Sequence, residues 1–138
     1  MAFIPLNYDE GKVVLIPAKG SIAFVKGNAL KDDGAGYITN GASGDNGDVR
    51  YVAAETITSN ATDGVTLLNC WPVKGVRFLA DTSADPAQTD VGTYCDLSAA
   101  GTVVAATGTD QVFFLEKIQG ALTDRKVIGY FSEGVPNS

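Results

Sequence analysis

The sequence of 138 residues contains no histidine. Without histidine, the Ser-His-Asp and Cys-His arrangements of nucleophilic catalysis cannot form, and the commonest general base near neutral pH is missing. The two separated cysteines, Cys70 and Cys95, supply too few soft ligands for zinc. We therefore expect no catalytic residues, no metal site and no cofactor. A hydrolase that works with carboxylates alone is the least favoured alternative.

The sequence also lacks any cluster of basic residues. Ten lysine and arginine residues are dispersed among sixteen acidic residues, which gives a net charge of −6. A surface that follows nucleic-acid phosphates needs clustered positive charge, so we expect no direct contact with nucleic acid. No apolar run approaches the roughly 20 residues that span a bilayer. The N-terminus has no basic segment of a secretory signal, so we expect a soluble protein made in a cytoplasm, without membrane contact.

Cysteine is scarce, and the two that are present allow two interpretations. Cys70 and Cys95 both lie in strand-like contexts, so they form either a disulfide between neighbouring strands or two buried thiols that pack as small hydrophobic side chains. The lack of an export signal favours the thiols. The single tryptophan, Trp71, lies in an apolar stretch, where packing in the core is favoured over a sugar-binding platform.

Two short acidic runs resemble metal sites in composition. They are Asp45-Asn46-Gly47-Asp48 and Lys31-Asp32-Asp33-Gly34. Both lack the ligand spacing and the closing glutamate of a calcium-binding loop. Turns rich in aspartate, asparagine and glycine have the same composition, so we interpret both runs as turns.

Glycine is abundant, with 16 residues, and it marks two stretches that share one pattern. The stretches Lys26–Ile38 and Val91–Val103 lie 65 positions apart. Each enters at a glycine, Gly27 or Gly92, continues with residues typical of a strand, and reaches a second glycine nine positions later before another strand. A longer strand candidate that ends near a glutamate follows each stretch. The pattern indicates either a β-hairpin used twice or an internal duplication.

Short apolar stretches bounded by turn residues recur along the rest of the chain, and no window shows sustained helical periodicity. We predict an all-β fold, a small β-barrel or β-sandwich of about ten short strands with an extended N-terminal arm. The predicted strands are Val13–Ile16, Ser21–Val25, Tyr37–Thr39, Val49–Thr58, Val65–Trp71, Val76–Ala80, Thr93–Asp96, Gly101–Ala105, Val112–Gln119 and Val127–Phe131. We assign residues 1–12 to the arm, 13–131 to a single β domain and 132–138 to a C-terminal tail.

The N-terminal arm is apolar for a chain end, although its proline discourages a regular element. Such a segment either covers its own domain or binds a neighbouring protein through strand addition or apolar anchors. The candidate partner-binding residues are Phe3, Ile4, Pro5, Leu6 and Tyr8.

One strand candidate carries two adjacent aromatic residues, Phe113 and Phe114. Neighbouring side chains of a strand point to opposite faces, so we expect one ring to face the core and the other to face outward. An outward ring on a long strand suits a contact between subunits.

The two glycine hairpins, the strand candidate Val76–Ala80 and the closing strand Lys126–Phe131 resemble small structural proteins of tailed phages. In these proteins a "kGdal…Gyi" hairpin precedes a "VGt.ydL…G.v" hairpin, as Lys26–Ile38 precedes Val91–Val103 in this chain. The resemblance covers about residues 20–131 and is to the capsid decoration (cement) and head-structural β-barrel group. The chain departs from this group in its apolar arm.

The resemblance implies a virion protein that binds the outer surface of the phage head and stabilises contacts between capsid subunits. Its partners would be the major capsid protein and further copies of itself, with a homotrimer favoured. It would be synthesised in the host cytoplasm and would reside on the outer capsid surface. One alternative is a β module that binds carbohydrate or a host surface, as in a head fibre or adhesin, and another is a different head or tail component.

Overall fold

The computed structural model describes residues 3–6, 12–43, 49–106 and 108–132. Within these ranges the fold is all-β, as predicted, and helical structure is limited to short 3₁₀ turns such as Gln88–Asp90 and Leu122–Asp124. The strands are β1 (Ile4–Pro5), β2 (Val14–Pro17), β3 (Ala23–Phe24), β4 (Ala29–Asp32), β5 (Ile38–Asn40), β6 (Val49–Ala53), β7 (Ile57–Thr58), β8 (Leu67–Pro72), β9 (Phe78–Thr82), β10 (Tyr94–Cys95), β11 (Leu97–Ala99), β12 (Thr102–Val103), β13 (Phe113–Ile118) and β14 (Lys126–Phe131).

The described residues form fourteen strands, where the sequence predicted about ten. The predicted strand Val49–Thr58 is two strands, β6 and β7. Between them, the Glu55 carboxylate accepts hydrogen bonds from the backbone and side chain of Asn69, both at 2.7 Å, so this stretch is held to β8. Strand β1 was not predicted, because Pro5 argued against a regular element at the chain end.

The first half of the chain forms a small closed barrel. Its sheet has the strand order β2-β8-β6-β4-β5, and every pairing in it is antiparallel. A parallel bridge between Ala18, which follows β2, and Ile38 in β5 returns the sheet to its first strand. The ribbon of β3 and β7 adds Phe24 to the interior of this barrel.

The second half repeats this barrel. Its strand order is β9-β14-β13-β10, and β12 pairs in parallel with the end of β9, where the first barrel has the bridge from Ala18. Strands β10 and β11 form one extended stretch that is interrupted at Asp96. The Asp96 carboxylate accepts hydrogen bonds from the backbone N–H groups of Asp110 (2.8 Å) and Gln111 (3.0 Å). Strand β11 pairs with β12 and completes the ring.

The two barrels share strand register as well as strand order. In the first barrel, Ala29 lies opposite Val52, and Val52 lies opposite Trp71. The corresponding row in the second barrel is Tyr94, Phe114 and Tyr130. The same spacing between partners holds in the rows on either side, so one architecture is used twice in the chain.

The glycines that first marked the repeat occupy equivalent positions. Gly27 has a φ of 96° and Gly92 a φ of 85°, a left-handed conformation that glycine adopts without steric cost. The Gly27 N–H donates to the carbonyl of Ala53 at 2.8 Å, and the Gly92 N–H donates to the carbonyl of Leu115 at 2.8 Å. Of the two explanations for the pattern, the structure therefore supports an internal repeat of the whole barrel over a shared hairpin.

Each barrel has its own interior, and a shared core joins the two. The first interior contains Ala18, Phe24, Leu30, Ile38, Ala53, Leu68 and Cys70. A larger cluster fills the second barrel and also includes Ala29, Val52 and Trp71 from the outer face of the first barrel. The Ala29 N–H donates to the carbonyl of Ala100 at 2.7 Å across this contact. Because an apolar row of one barrel is buried against the other, the halves form one hydrophobic unit.

Candidate binding surfaces

The N-terminal segment is built into the second barrel. Strand β1 pairs antiparallel with β9. Phe3 is fully buried, and its ring centroid lies 4.8 Å from that of Phe131 and 5.6 Å from that of Phe113. The Phe3 N–H donates to the carbonyl of Gly27 at 2.9 Å, so this residue also ties the two barrels together. The chain itself accounts for the burial of Phe3.

The other predicted partner-binding residues lie at increasing distance from the core. Ile4 and Pro5 are half-buried along β9. Leu6 is 49% exposed, and its N–H donates to the carbonyl of Arg77 at 2.8 Å. Tyr8 lies outside the described residues. Leu6 is therefore the most exposed of the described candidate partner-binding residues, and the binding of a partner by this arm stays a prediction.

The acidic run at Lys31–Gly34 comprises the end of β4 and the beginning of the turn that follows it, where the sequence predicted a turn. Asp32 accepts a hydrogen bond from the Gly34 N–H at 2.7 Å, and Asp33 accepts one from the Ala35 N–H at 2.8 Å. The latter bond holds the pKa of Asp33 below its usual value, with Lys19 adding to the effect. These carboxylate oxygens satisfy the local backbone. The second run, Asp45-Asn46-Gly47-Asp48, lies outside the described residues.

The two cysteines are free, buried thiols. Cys70 lies in the interior of the first barrel and Cys95 in the cluster that fills the second. Burial, together with the nearby Glu55 carboxylate, raises the pKa of the Cys70 thiol to about 12. Burial likewise raises the pKa of Cys95. Both thiols are therefore protonated near neutral pH and pack as small hydrophobic side chains.

The outer face of the second barrel carries three aromatic side chains in one row, Tyr94, Phe114 and Tyr130, which we call the aromatic row. Phe113 is buried and Phe114 is half-buried, as expected for adjacent residues on a strand. The rings of Tyr94 and Phe114 are 5.1 Å apart in an edge-on arrangement, and those of Phe114 and Tyr130 are 5.2 Å apart and stacked. The row forms a continuous aromatic strip across β10, β13 and β14.

An ion pair borders the aromatic row. The Arg77 guanidinium donates to the Glu116 carboxylate through Nε at 2.8 Å and Nη2 at 3.0 Å, which is the bidentate arrangement that arginine favours. The same guanidinium lies 5.7 Å from the ring centroid of Tyr130, within reach of a cation–π interaction. The hydrogen bonds from Arg77 lower the pKa of Glu116, so the carboxylate stays charged beside the rings.

The corresponding row of the first barrel is buried in the contact with the second barrel, so this face of the fold can form a packed interface. Ala29 and Val52 are fully buried and Trp71 is 4% exposed, because the second barrel packs on them. The aromatic row occupies the same place on the second barrel and remains half-buried among the described residues. Sequence reasoning predicted that one of the two adjacent rings would face outward, which the structure shows to be Phe114, and it missed the two neighbouring tyrosines. The three residues come from separate strands, and only the register of those strands places them in one row.

Groups that could hold a metal ion are absent from the described residues: histidine, cysteine, aspartate and glutamate nowhere form a cluster of three. In the same part of the chain, no helix has the length and apolarity needed to cross a membrane.

Comparisons with known proteins relate the fold to a phage head protein. No protein-family profile matches the sequence, and no curated protein sequence matches it significantly. Among solved structures, the crystal structure of the head fiber gp8.5 N base in bacteriophage phi29 is similar, with a TM-score of 0.55 at 16% sequence identity. The alignment covers 91% of this chain and 99% of that chain. At this identity the likeness concerns the fold, and it includes both barrels.

Proposed function

We propose that this chain is a structural protein of a tailed-phage head and that it binds the outer surface of the head shell. The observation that carries the proposal is the similarity to the head fiber gp8.5 N base of phi29, which covers 91% of this chain. The glycine hairpins, which resemble those of head-structural proteins, support the same class.

Within this class, we propose a decoration or cement role, with the major capsid protein as partner. A protein that clamps two capsid subunits needs separate contact surfaces on one rigid body. The shared core around Trp71 joins the two barrels, so surfaces on the first and second barrels move together. We also propose a homo-oligomer, with a trimer favoured, which sedimentation equilibrium of the purified protein would test.

Binding to heads is the direct test. The purified protein would be mixed with expanded empty heads of the phage that encodes it, prepared without this protein, and co-sedimentation would be measured. Saturable binding and density at symmetry-related positions on the outer face in electron cryo-microscopy are the expected results. Heads already saturated with the protein serve as the control. A folded protein that stays in the supernatant, or density inside the shell, would contradict the proposal.

A thermal measurement separates cement from the base of a fibre. If the protein clamps capsid subunits, heads that lack it should release their DNA at a lower temperature than complete heads. If it is a fibre base, the release temperature should stay the same while the particles lose their fibres. The similarity to a head fiber base makes the second result the main alternative.

A second candidate function, carbohydrate binding, is favoured by the aromatic row. Sugar rings pack on aromatic faces, and charged groups such as Arg77 and Glu116 beside the rings can bind hydroxyl groups. Saturable binding of the isolated protein to a glycan, lost in Phe114→Ala and kept in Leu122→Ala at an exposed site elsewhere, would support this function. Absence of binding across a broad glycan panel would exclude it in favour of protein contact.

A further inference from the structure

The repeat places two equivalent strand edges in the molecule, and the chain covers one of them. In the second barrel, β1 pairs with β9, with Ile4 opposite Leu79. In the first barrel, the strand that corresponds to β9 is β2, and Leu15 of β2 corresponds to Leu79 of β9. Leu15 lies opposite Asn69 of β8. Leu79 lies opposite the equivalent residue of β14, Ile128. Among the described residues, no strand pairs with the other side of β2 at Leu15.

Within the described ranges, the backbone groups of β2 at Leu15 have no strand partner on this edge. The Ala18 N–H donates to Thr66, next to β8, and the Lys19 N–H donates to Ile38 on the opposite side, both at 2.9 Å. Backbone groups alternate in direction along a strand, so the N–H and C=O of Leu15 point to the same side as those of Lys19, away from β8. In the second barrel the equivalent side of β9 receives the arm, where Leu6 donates to Arg77.

Side chains at the edge of β2 are more exposed than those at the edge of β9, which the arm covers. Leu15 is 56% exposed and Val14 is 36% exposed. Phe78, which corresponds to Val14, is fully buried, and Leu79, which corresponds to Leu15, is only partly exposed. An extended segment on β2 would cover the side chains that β1 helps to cover on β9.

The outer face beside this edge is apolar in the first barrel and charged in the second. Exposed apolar residues on β2, on β8 and just before β8 form this face: Leu15, Pro17, Val65 and Leu67. The positions in the second barrel that correspond to Pro17 and Leu67 are Asp81 and Lys126, which form an ion pair. The barrel fold therefore accepts charge at these positions, and packing within the chain does not require the apolar side chains of the first barrel.

We propose that this edge and face, formed by Val14, Leu15, Pro17, Val65 and Leu67, bind an extended apolar segment of a different protein by antiparallel strand addition. An exposed, apolar edge strand is a template for pairing with another chain. A second copy of this chain is a poorer occupant, because its own extended segment is held by the buried Phe3 in its second barrel. Pairing of β2 with another β2 would also bring two Pro17 residues to the contact, so two N–H donors would be missing instead of one. Strand addition at β2 does not depend on the proposed phage function.

The test uses a peptide with the sequence of residues 1–12 of this chain as the probe, because its Ile4–Pro5 segment occupies the equivalent edge of β9. The peptide would be titrated into isotope-labelled protein and followed by nuclear magnetic resonance. We expect saturable shifts at Val14, Leu15 and Leu67, and amide exchange at Leu15 slowed by about tenfold or more.

Two variants locate the binding. Leu15→Pro removes an N–H that faces away from β8, and Leu67→Lys places a charge on the apolar face, so each should weaken peptide binding by about tenfold or more. Leu122→Lys, at a residue that is 49% exposed elsewhere, is the matched control and should bind normally. If Leu15→Pro fails to fold, Leu67→Lys carries the test.

Several results would overturn the proposal. If the peptide causes no saturable shift up to about 1 mM, the edge does not bind an extended apolar segment as proposed. Binding that both variants leave unchanged would place the peptide elsewhere. A Leu15 amide already protected in the free protein would show that the chain covers its own edge, and self-association abolished by Leu67→Lys would show that a second copy does.

Discussion

At the residue scale, Gly129 shows that the two barrels have side chains of different size at equivalent interior positions. It corresponds to Cys70 of the first barrel, and both lie on the inner face. A Cβ at Gly129 would lie 1.9 Å from the carbonyl oxygen of Phe114 and 2.8 Å from the Phe113 ring. In the first barrel the residue opposite Cys70 is the small Ala53, whereas Leu115 lies opposite Gly129. The larger side chain has moved to the partner strand, which keeps the interior filled.

Gly129→Ala should therefore destabilise the protein by about 4 kcal/mol or more, since the added methyl group meets backbone in the middle of a sheet. The control is Gly34→Ala, where the φ of 91° is unfavourable but the space is open, with an expected cost of about 1–2 kcal/mol. Urea unfolding measures both. Equal losses of stability would contradict the close approach at Gly129.

The buried thiols give a second prediction at this scale. Native protein should not react with a thiol reagent near neutral pH, because burial raises the pKa of Cys70 to about 12 and also raises that of Cys95. Unfolded protein should release two reactive thiols. Because the folded thiols resist ionisation that the unfolded thiols undergo, stability should fall as the pH rises above the unfolded value of 9.0. Rapid reaction of the native protein would contradict this burial.

At the scale of the element, β1 stabilises the fold through the residue that precedes it. Phe3 packs among the rings of Phe78, Phe113 and Phe131. Phe3→Ala should reduce the free energy of unfolding by about 3–5 kcal/mol through loss of a buried ring. Leu6→Ala, at an exposed residue of the same segment, should change it little and serves as the control. Similar stability of the two variants would show that the segment packs loosely.

These variants also separate the role of the arm in stability from its predicted role in partner binding. A deletion of the whole segment would remove Phe3 from the core, so loss of head binding could not be separated from loss of fold. Substitution of Leu6 leaves the core intact and tests partner binding alone. Reduced binding of Leu6→Ala to heads, with an unchanged melting temperature, is the result that the predicted partner role requires.

The elements also show what could be predicted from the sequence. Local apolar stretches and glycine turns identified most strands and the two hairpin entries at Gly27 and Gly92, because these features depend on neighbouring residues. The bridge from Ala18 to Ile38 and the pairing of β1 with β9 join residues far apart in sequence, and no local pattern encodes them. The repeat was only partly visible in the sequence because equivalent interior positions, such as Cys70 and Gly129, differ in residue type. Each of these residues fills the interior together with the residue opposite it, so a smaller side chain on one strand is matched by a larger one on the other.

The candidate surfaces divide in the same way. That one ring of the Phe113-Phe114 pair faces outward followed from strand alternation, but the assignment of that ring to Phe114 came from the structure. Its neighbours Tyr94 and Tyr130 come from separate strands, so their alignment in one row depends on register. The assignment of Phe3 to the core required the position of β1 on β9, which the apolar character of the arm alone could not give.

At the scale of the whole molecule, the two barrels should unfold together. The single tryptophan, Trp71, belongs to the first barrel and is buried against the second. Its fluorescence should therefore change at the same urea concentration as the far-ultraviolet circular dichroism, which reports all strands. A fragment of residues 12–75 should not fold alone, because it would expose Ala29, Val52 and Trp71. Separate transitions for the two signals would show independent barrels.

The second copy of the barrel within the chain has one further consequence. Two identical subunits that met through the same face would each expose the same remaining surfaces, so any change in one would appear in both. Here the two barrels are encoded separately, so the row around Val52 can be specialised for internal contact while the row around Phe114 diverges. The edges of β2 and β9 differ in the same way. A single chain thereby presents each of these surfaces once. A partner that binds one of them therefore holds the chain in one orientation.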